Sequence, residues 1–101
     1  MNIKGMLPLL LLHLLLGSAK HGYTLAKELN GMFFTVKEGA LYPTLHRMES
    51  EGFIVSFKQE EGGRLCRYYQ ITELGRTQHD KLEMDWLHYA DSVNVILNSG
   101  K

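Results

Sequence analysis

Apolar residues run almost unbroken from position 7 to position 16 (LPLLLLHLLL). A helix built from that run has no polar face, so it must be buried nearly all round, at the centre of the fold or shared between subunits. Pro8 at its start and Gly17 just past its end mark its bounds, because proline's missing N–H is harmless in a first turn and glycine suits a stop. After the polar break Ser18-Ala19-Lys20, residues 21–30 (HGYTLAKELN) put Tyr23, Ala26 and Leu29 or Leu25 on one inward stripe of a short helix that closes at Asn30-Gly31. In residues 35–52 (TVKEGALYPTLHRMESEG), Leu41, Leu45 and Met48 recur at helical spacing and predict a third helix with one buried stripe. Gly39, Tyr42, Pro43, His46 and Ser50 lie on its far side. Thr35 with Glu38 fits a capping box, and Gly52 suits a left-handed stop. Pro43 is compatible with a helix that starts within residues 36–40, where the proline falls at the edge of the first turn.

The pattern then loses its helical period. Residues 53–58 (FIVSFK) and 65–71 (LCRYYQI) are rich in aromatic and branched side chains and predict two strands. The QEEGGR segment between them contains Gly62-Gly63, which tolerates the positive φ angles of a tight turn, so the pair forms a β-hairpin. Thr72 is placed to cap a last helix, with Glu73 in its first turn, that runs to about Asn98 and spans roughly 40 Å at ~1.5 Å per residue. Leu82, Trp86, Tyr89, Val93 and Ile96 follow one another at spacings of four, three, four and three, the seam spacing of a coiled coil. Leu87, Ala90 and Leu97 form a second apolar stripe. A lone domain of this size cannot cover such a helix, so one face is assigned to the home subunit and the other to a partner. Three helices followed by a hairpin make a winged helix. The expected fold is therefore α+β, mostly α: a winged helix-turn-helix domain over residues 1–71 and a dimerisation helix over residues 72–101.

Composition refines this picture. With 101 residues, 45% hydrophobic and 22% charged, the chain is one domain with little core to spare, a shortage that a dimer relieves. A net charge of +0 argues against nonspecific binding to polyanions. Yet residues 1–71 carry eight Lys/Arg against six acids (+2), and residues 72–101 three against five (−2). In the hairpin, Lys58, Arg64 and Arg67 can reach phosphates, while Glu60 and Glu61 oppose close approach at its tip. A single cysteine excludes an internal disulfide framework and fits a reducing cytosol. The leucine run resembles a secretory signal core, but it is too short to span a bilayer and contains Pro8 and His13.

Neither a nucleophile–base–orienter set nor a HExxH-type spacing occurs, so no enzyme is expected, and no cofactor or metal. His13 reads as a packed or partner-bonded histidine, since no second ligand lies at metal spacing along the chain. Cys66 reads as an inert strand residue and Trp86 as a core or interface residue.

Met6-Leu7, His21-Gly22-Tyr23, residues 25–29 (LAKEL), residues 39–49 (GALYPTLHRME), Glu51-Gly52-Phe53-Ile54 and residues 67–76 (RYYQITELGR) together resemble the PadR-like transcriptional regulators, short type, over residues 3 to about 90. Ala40, where many members carry Thr, and the acidic wing depart from the common pattern. The resemblance implies a cytoplasmic homodimeric repressor whose third helix enters the major groove of a palindromic operator. The expected DNA contacts are Lys37, Tyr42, Pro43, His46 and Arg47 from that helix and Lys58, Arg64 and Arg67 from the wing. The dimer interface is expected at Leu82, Trp86, Tyr89, Val93 and Ile96. Some members bind planar aromatic effectors between the helices of the dimer, which here implies a site formed by Leu12, Leu16, Trp86 and Tyr89. The rival expectation is a winged-helix protein-interaction module that binds no DNA.

Overall fold

A computed structural model describes residues 5–31 and 36–100. The elements run α1 (Leu7–Leu14), β1 (Lys20–His21), α2 (Gly22–Asn30), α3 (Glu38–Ser50), β2 (Ile54–Glu61), β3 (Arg64–Ile71) and α4 (Glu73–Ser99), with an antiparallel sheet ordered β1-β3-β2. This is the winged helix-turn-helix arrangement with a long C-terminal helix. Its core joins Leu7, Leu11, Leu12 and Leu15 of the first helix and the turn after it to Leu25 and Leu29, to Leu41, Leu45 and Met48, and to Ile54, Tyr69 and Ile71 of the hairpin base. Leu41 and Leu45 are completely buried, and each such leucine contributes roughly 2 kcal/mol of transfer free energy. The stripe read from the sequence of the third helix is thus its inner face.

Local chemistry explains the element ends. His21 Nδ1 accepts from the Tyr23 N–H at 3.0 Å and caps α2. Asn30 then ties α2 to the approach to α3: its Nδ2 donates to the Val36 carbonyl (3.1 Å) and its Oδ1 accepts from the Val36 N–H (2.6 Å). At the end of α3, Gly52 takes φ 85°, and two bonds, Phe53 N–H to Met48 O and Gly52 N–H to Glu49 O, make the left-handed stop a Schellman motif. Gly62 and Gly63, both at positive φ, form a two-residue turn, so the strands reach closer to the tip than residues 58 and 65. Thr72 Oγ1 accepts from the Gly75 N–H at 3.0 Å and donates to the Gly52 carbonyl at 2.6 Å, which caps α4 and pins it to the end of α3.

Four expectations need correction. The residue at the N-cap of α3 is Lys37, with no side-chain cap bond; Thr35 of the expected capping box lies outside the described residues. Since α3 begins at Glu38, Pro43 is its sixth residue, inside the helix and not at the edge of the first turn. The Gly39 carbonyl therefore lacks its helical donor, which is tolerable because Gly39 is exposed to water. Tyr23 faces outward, 60% exposed, with the Lys27 ammonium 5.7 Å from its ring centre. Finally, Lys20 and His21 form a short strand beside Tyr69 and Tyr68, and the Lys20–Glu28 ion pair (2.8 Å) braces it against α2.

The first turns of α4 belong to the core. Gly75 and His79 are buried and Arg76 donates to the Leu16 carbonyl at 3.2 Å. Farther along, Trp86, Leu87, Tyr89, Val95, Ile96 and Leu97 are exposed. No helix among the described residues is long and apolar enough to cross a membrane.

Candidate nucleic-acid interface

Tyr42, His46 and Glu49 recur at i, i+4 and i+7 and so share one stripe of α3. Across from them stand Arg67 and Tyr69 of β3, and together these five residues line an open cleft between helix and wing. Tyr42 is held against the start of α2: a Cβ at Gly22 would fall 3.0 Å from its ring and 3.2 Å from its hydroxyl. Arg67 donates to Ser56 Oγ (2.8 Å), and Ser56 donates in turn to Glu49 Oε2 (2.5 Å), so a hydrogen-bonded chain sets the wing relative to α3. Burial pushes the Tyr69 hydroxyl above its ordinary pKa; nearby Arg67 opposes that rise, and Tyr42 and Glu49 add to it. The hydroxyl therefore stays protonated as a donor in the cleft at neutral pH.

Register sorts the wing cations. Ile54, Ser56, Lys58 and Glu60 oppose Ile71, Tyr69, Arg67 and Leu65, and cross-strand partners share a face. That face begins with the buried Ile54, Ile71 and Tyr69 and continues outward through Arg67 and Lys58, on the side of α3. Arg64, opposite Glu61, alternates onto the other face together with Cys66 and Tyr68. Lys58 and Arg67 are thus on the side of α3 and directly opposite each other, an arrangement unfavourable for like charges unless an anion lies between them.

The remaining expected contacts divide in the same way. Lys37 is exposed at the α3 N-cap, and Pro43 and His46 are exposed. Arg47 points elsewhere: with Thr44, Met48 and Glu51 it borders a cavity shared with Pro8, Leu12, Gln78 and Leu82. Glu49, Ser56 and Tyr69 were missed as site residues. The Tyr42-His46-Glu49 spacing was available in the sequence; the pairing of Ser56 with Tyr69 depends on the hairpin register.

A model of the PadR-like family of transcriptional regulators matches residues 11–81. The chain belongs to this family. PadR-like proteins regulate transcription and are not enzymes. Transcriptional regulator Rv3488 of Mycobacterium tuberculosis is 41% identical over 66 residues, 65% of this chain and 62% of that protein. The chain thus spans somewhat less than two thirds of that relative's length. A PadR-like regulator from Bacillus cereus superposes with a TM-score of 0.84 at 32% identity, covering 94% of both chains. The Bacillus subtilis PadR structure in complex with operator DNA matches at 29% identity and TM-score 0.67, over 81% of this chain and 46% of that one.

The seam residues Trp86 and Tyr89 stack on one another, with ring centres 5.8 Å apart, 37% and 63% exposed. Leu82 and Val93 are partly buried. Leu12, expected beside an effector, is completely buried in the core, whereas Leu16 is half-buried. The cavity that Leu12 borders has a volume of about 190 Å³, below the roughly 300 Å³ at which small-molecule pockets begin.

Proposed function

We propose that this chain acts in the cytoplasm as a homodimeric repressor that binds a palindromic operator and is released by a small planar aromatic molecule. One observation carries the DNA reading: Tyr42 and His46 of α3 share a cleft with Arg67, and Lys58 faces Arg67 across the hairpin on that same side. In the major groove, Tyr42, Pro43, His46 and Lys37 meet base edges and neighbouring backbone, while Lys58 and Arg67 neutralise phosphates. Arg64, on the opposite face at the tip, and Arg47, beside α1 and α4, stand farther from that surface and contribute through long-range attraction.

Residues 1–71 form the DNA-binding unit and residues 72–101 the dimerisation helix, anchored in that unit through Gly75 and His79. The exposed apolar residues of α4 support dimerisation, because a contiguous apolar face of this kind is rarely left to water. Two recognition helices would then meet half-sites about one turn, roughly 34 Å, apart. Because the cavity beside Leu12 is small, this reading has the partner's α4 complete the effector site, with Trp86 and Tyr89 as the stacking surface.

The test is binding to operator fragments selected from genomic DNA, measured by fluorescence anisotropy across a salt series, with and without planar aromatic compounds. Log affinity should fall linearly with log salt, and an effector should weaken binding through its preference for the free form. Failure to bind any duplex at low salt would leave the fold as a protein-interaction module.

A further inference from the structure

Three side chains from two helices converge at a point that the DNA-facing cleft does not use. His13 of α1 and His79 of α4 place Nδ1 and Nε2 2.9 Å apart, with the rings stacked at 5.1 Å. Glu83, one turn beyond His79, brings its carboxylate to the same place, and the three potential ligand atoms all lie within 4.8 Å of one another. His79 is 3% exposed, whereas His13 reaches the surface, so the cluster has a buried floor and an open mouth.

Its details go beyond helix packing. Leucines surround this seam, and a leucine at position 79 would avoid the cost of burying a polar ring. Moreover, Asp80 Oδ1 lies 3.0 Å from His79 Nδ1. That contact is a hydrogen bond when Nδ1 carries the proton, which leaves the Nε2 lone pair directed at His13. A carboxylate that fixes a histidine's tautomer in this way is the usual outer partner of a metal-ligating imidazole.

We propose that His13, His79 and Glu83 bind a divalent transition-metal ion of borderline softness, of which Zn2+ is the type. Two imidazole nitrogens and one carboxylate oxygen suit such an ion and leave a fourth tetrahedral position for water or an exogenous ligand. With Zn–N bonds of about 2.0–2.1 Å, tetrahedral geometry separates the two nitrogens by about 3.3 Å, so the rings part by a few tenths of an ångström on binding. Because the ligands come from α1 and α4, the ion fastens the long helix to the winged domain, and its binding free energy adds to the stability of that packing.

Isothermal titration of the full chain with Zn2+ alone, in a non-coordinating buffer, tests the site. The expected result is one ion per chain, with protons released as it binds. Asp80→Asn should weaken binding roughly 10–100-fold, and His13→Gln or Glu83→Gln at least as much. Both of these positions lie at the mouth of the cluster, and circular dichroism without metal checks that the variants fold. At Zn2+ a hundred times its Kd, the melting temperature should rise by on the order of 10 °C in the wild type and not in the His13→Gln/Glu83→Gln double variant. Equal Zn2+ binding by the wild type and the double variant, or none by the wild type at about 1 mM, a Kd above which site binding would be negligible, overturns the proposal. The titration involves no DNA, so its failure leaves the reading of α3 and the wing untouched.

Discussion

Replacing Gly75 by alanine should unfold the junction between α4 and the wing. A Cβ at position 75 would lie 2.0 Å from the Phe53 carbonyl oxygen and 2.8 Å from Ile71 Cγ1. An unstrained C···O contact is about 3.3 Å or longer, so something must move by more than about 1 Å. Neither neighbour yields easily. The Phe53 carbonyl accepts from the Thr72 N–H at 3.1 Å, and Ile71 is buried in the core. Displacing α4 instead breaks the Thr72 cap on Gly75. Overpacking at about 1–3 kcal/mol, a lost cap at about 1 and a lost backbone hydrogen bond at about 1 give a destabilisation of roughly 3–5 kcal/mol. For a domain with about 5–15 kcal/mol of total stability this is a large fraction, equivalent to a drop on the order of 20 °C in Tm. Urea unfolding followed by far-UV circular dichroism, at one fixed protein concentration, measures it. Gly39→Ala is the control of opposite sign: nothing lies within 4 Å of its Cβ, and alanine gains up to about 1 kcal/mol of helix propensity. A Gly75→Ala variant within about 0.5 kcal/mol of wild type, at unchanged m value, would refute the steric argument.

The other predictions concern binding and pH. Tyr42→Ala and Lys37→Ala should each weaken operator binding, Tyr42→Ala by about 1–3 kcal/mol, while a change at His46 should alter preference among operators; unchanged affinities in folded Tyr42→Ala and Lys37→Ala would show that α3 is not the reading element. Arg67→Ala should lower affinity for all sequences alike and flatten the salt slope by about 1 per subunit, whereas Arg64→Ala should flatten it less; equal effects would contradict the sorting of the hairpin faces. Leu82→Glu combined with Val93→Glu should yield monomers by sedimentation, and a folded dimer would place the interface elsewhere. Because the folded-state pKa of Tyr69 is raised above 10.0, the native state holds a proton that the unfolded state releases near pH 10. The stability tied to it is complete below that pH and is lost as pH rises through and beyond it. Tyr69→Phe should therefore show a shallower alkaline loss than wild type, and parallel pH profiles of the two proteins would contradict this.

What the sequence determined by itself is what a few neighbouring residues can encode. The Gly52 stop, the Gly62-Gly63 turn and the Thr72 cap each depend on contacts within one or two turns of chain, the stripe of Leu41, Leu45 and Met48 is set by the helical period, and each is found where the pattern placed it. Strand β1 was not legible, since two residues have no periodicity and Lys20-His21 is a strand only because β3 lies beside it. Tyr23 fits an inward helical stripe equally well on paper, but the packing of Leu25 and Leu29 turns it to water. The sorting of the wing cations was also a tertiary decision, since the hairpin register sets Lys58 opposite Arg67 and leaves Arg64 on the other face, whereas Arg47 lies off the Tyr42-His46 stripe by the helical period alone. His13 shows the limit most directly. Packed or partner-bonded in the sequence reading, it meets His79 66 positions away, because α1 and the first turns of α4 pack together there and neither helix's own periodicity specifies that meeting.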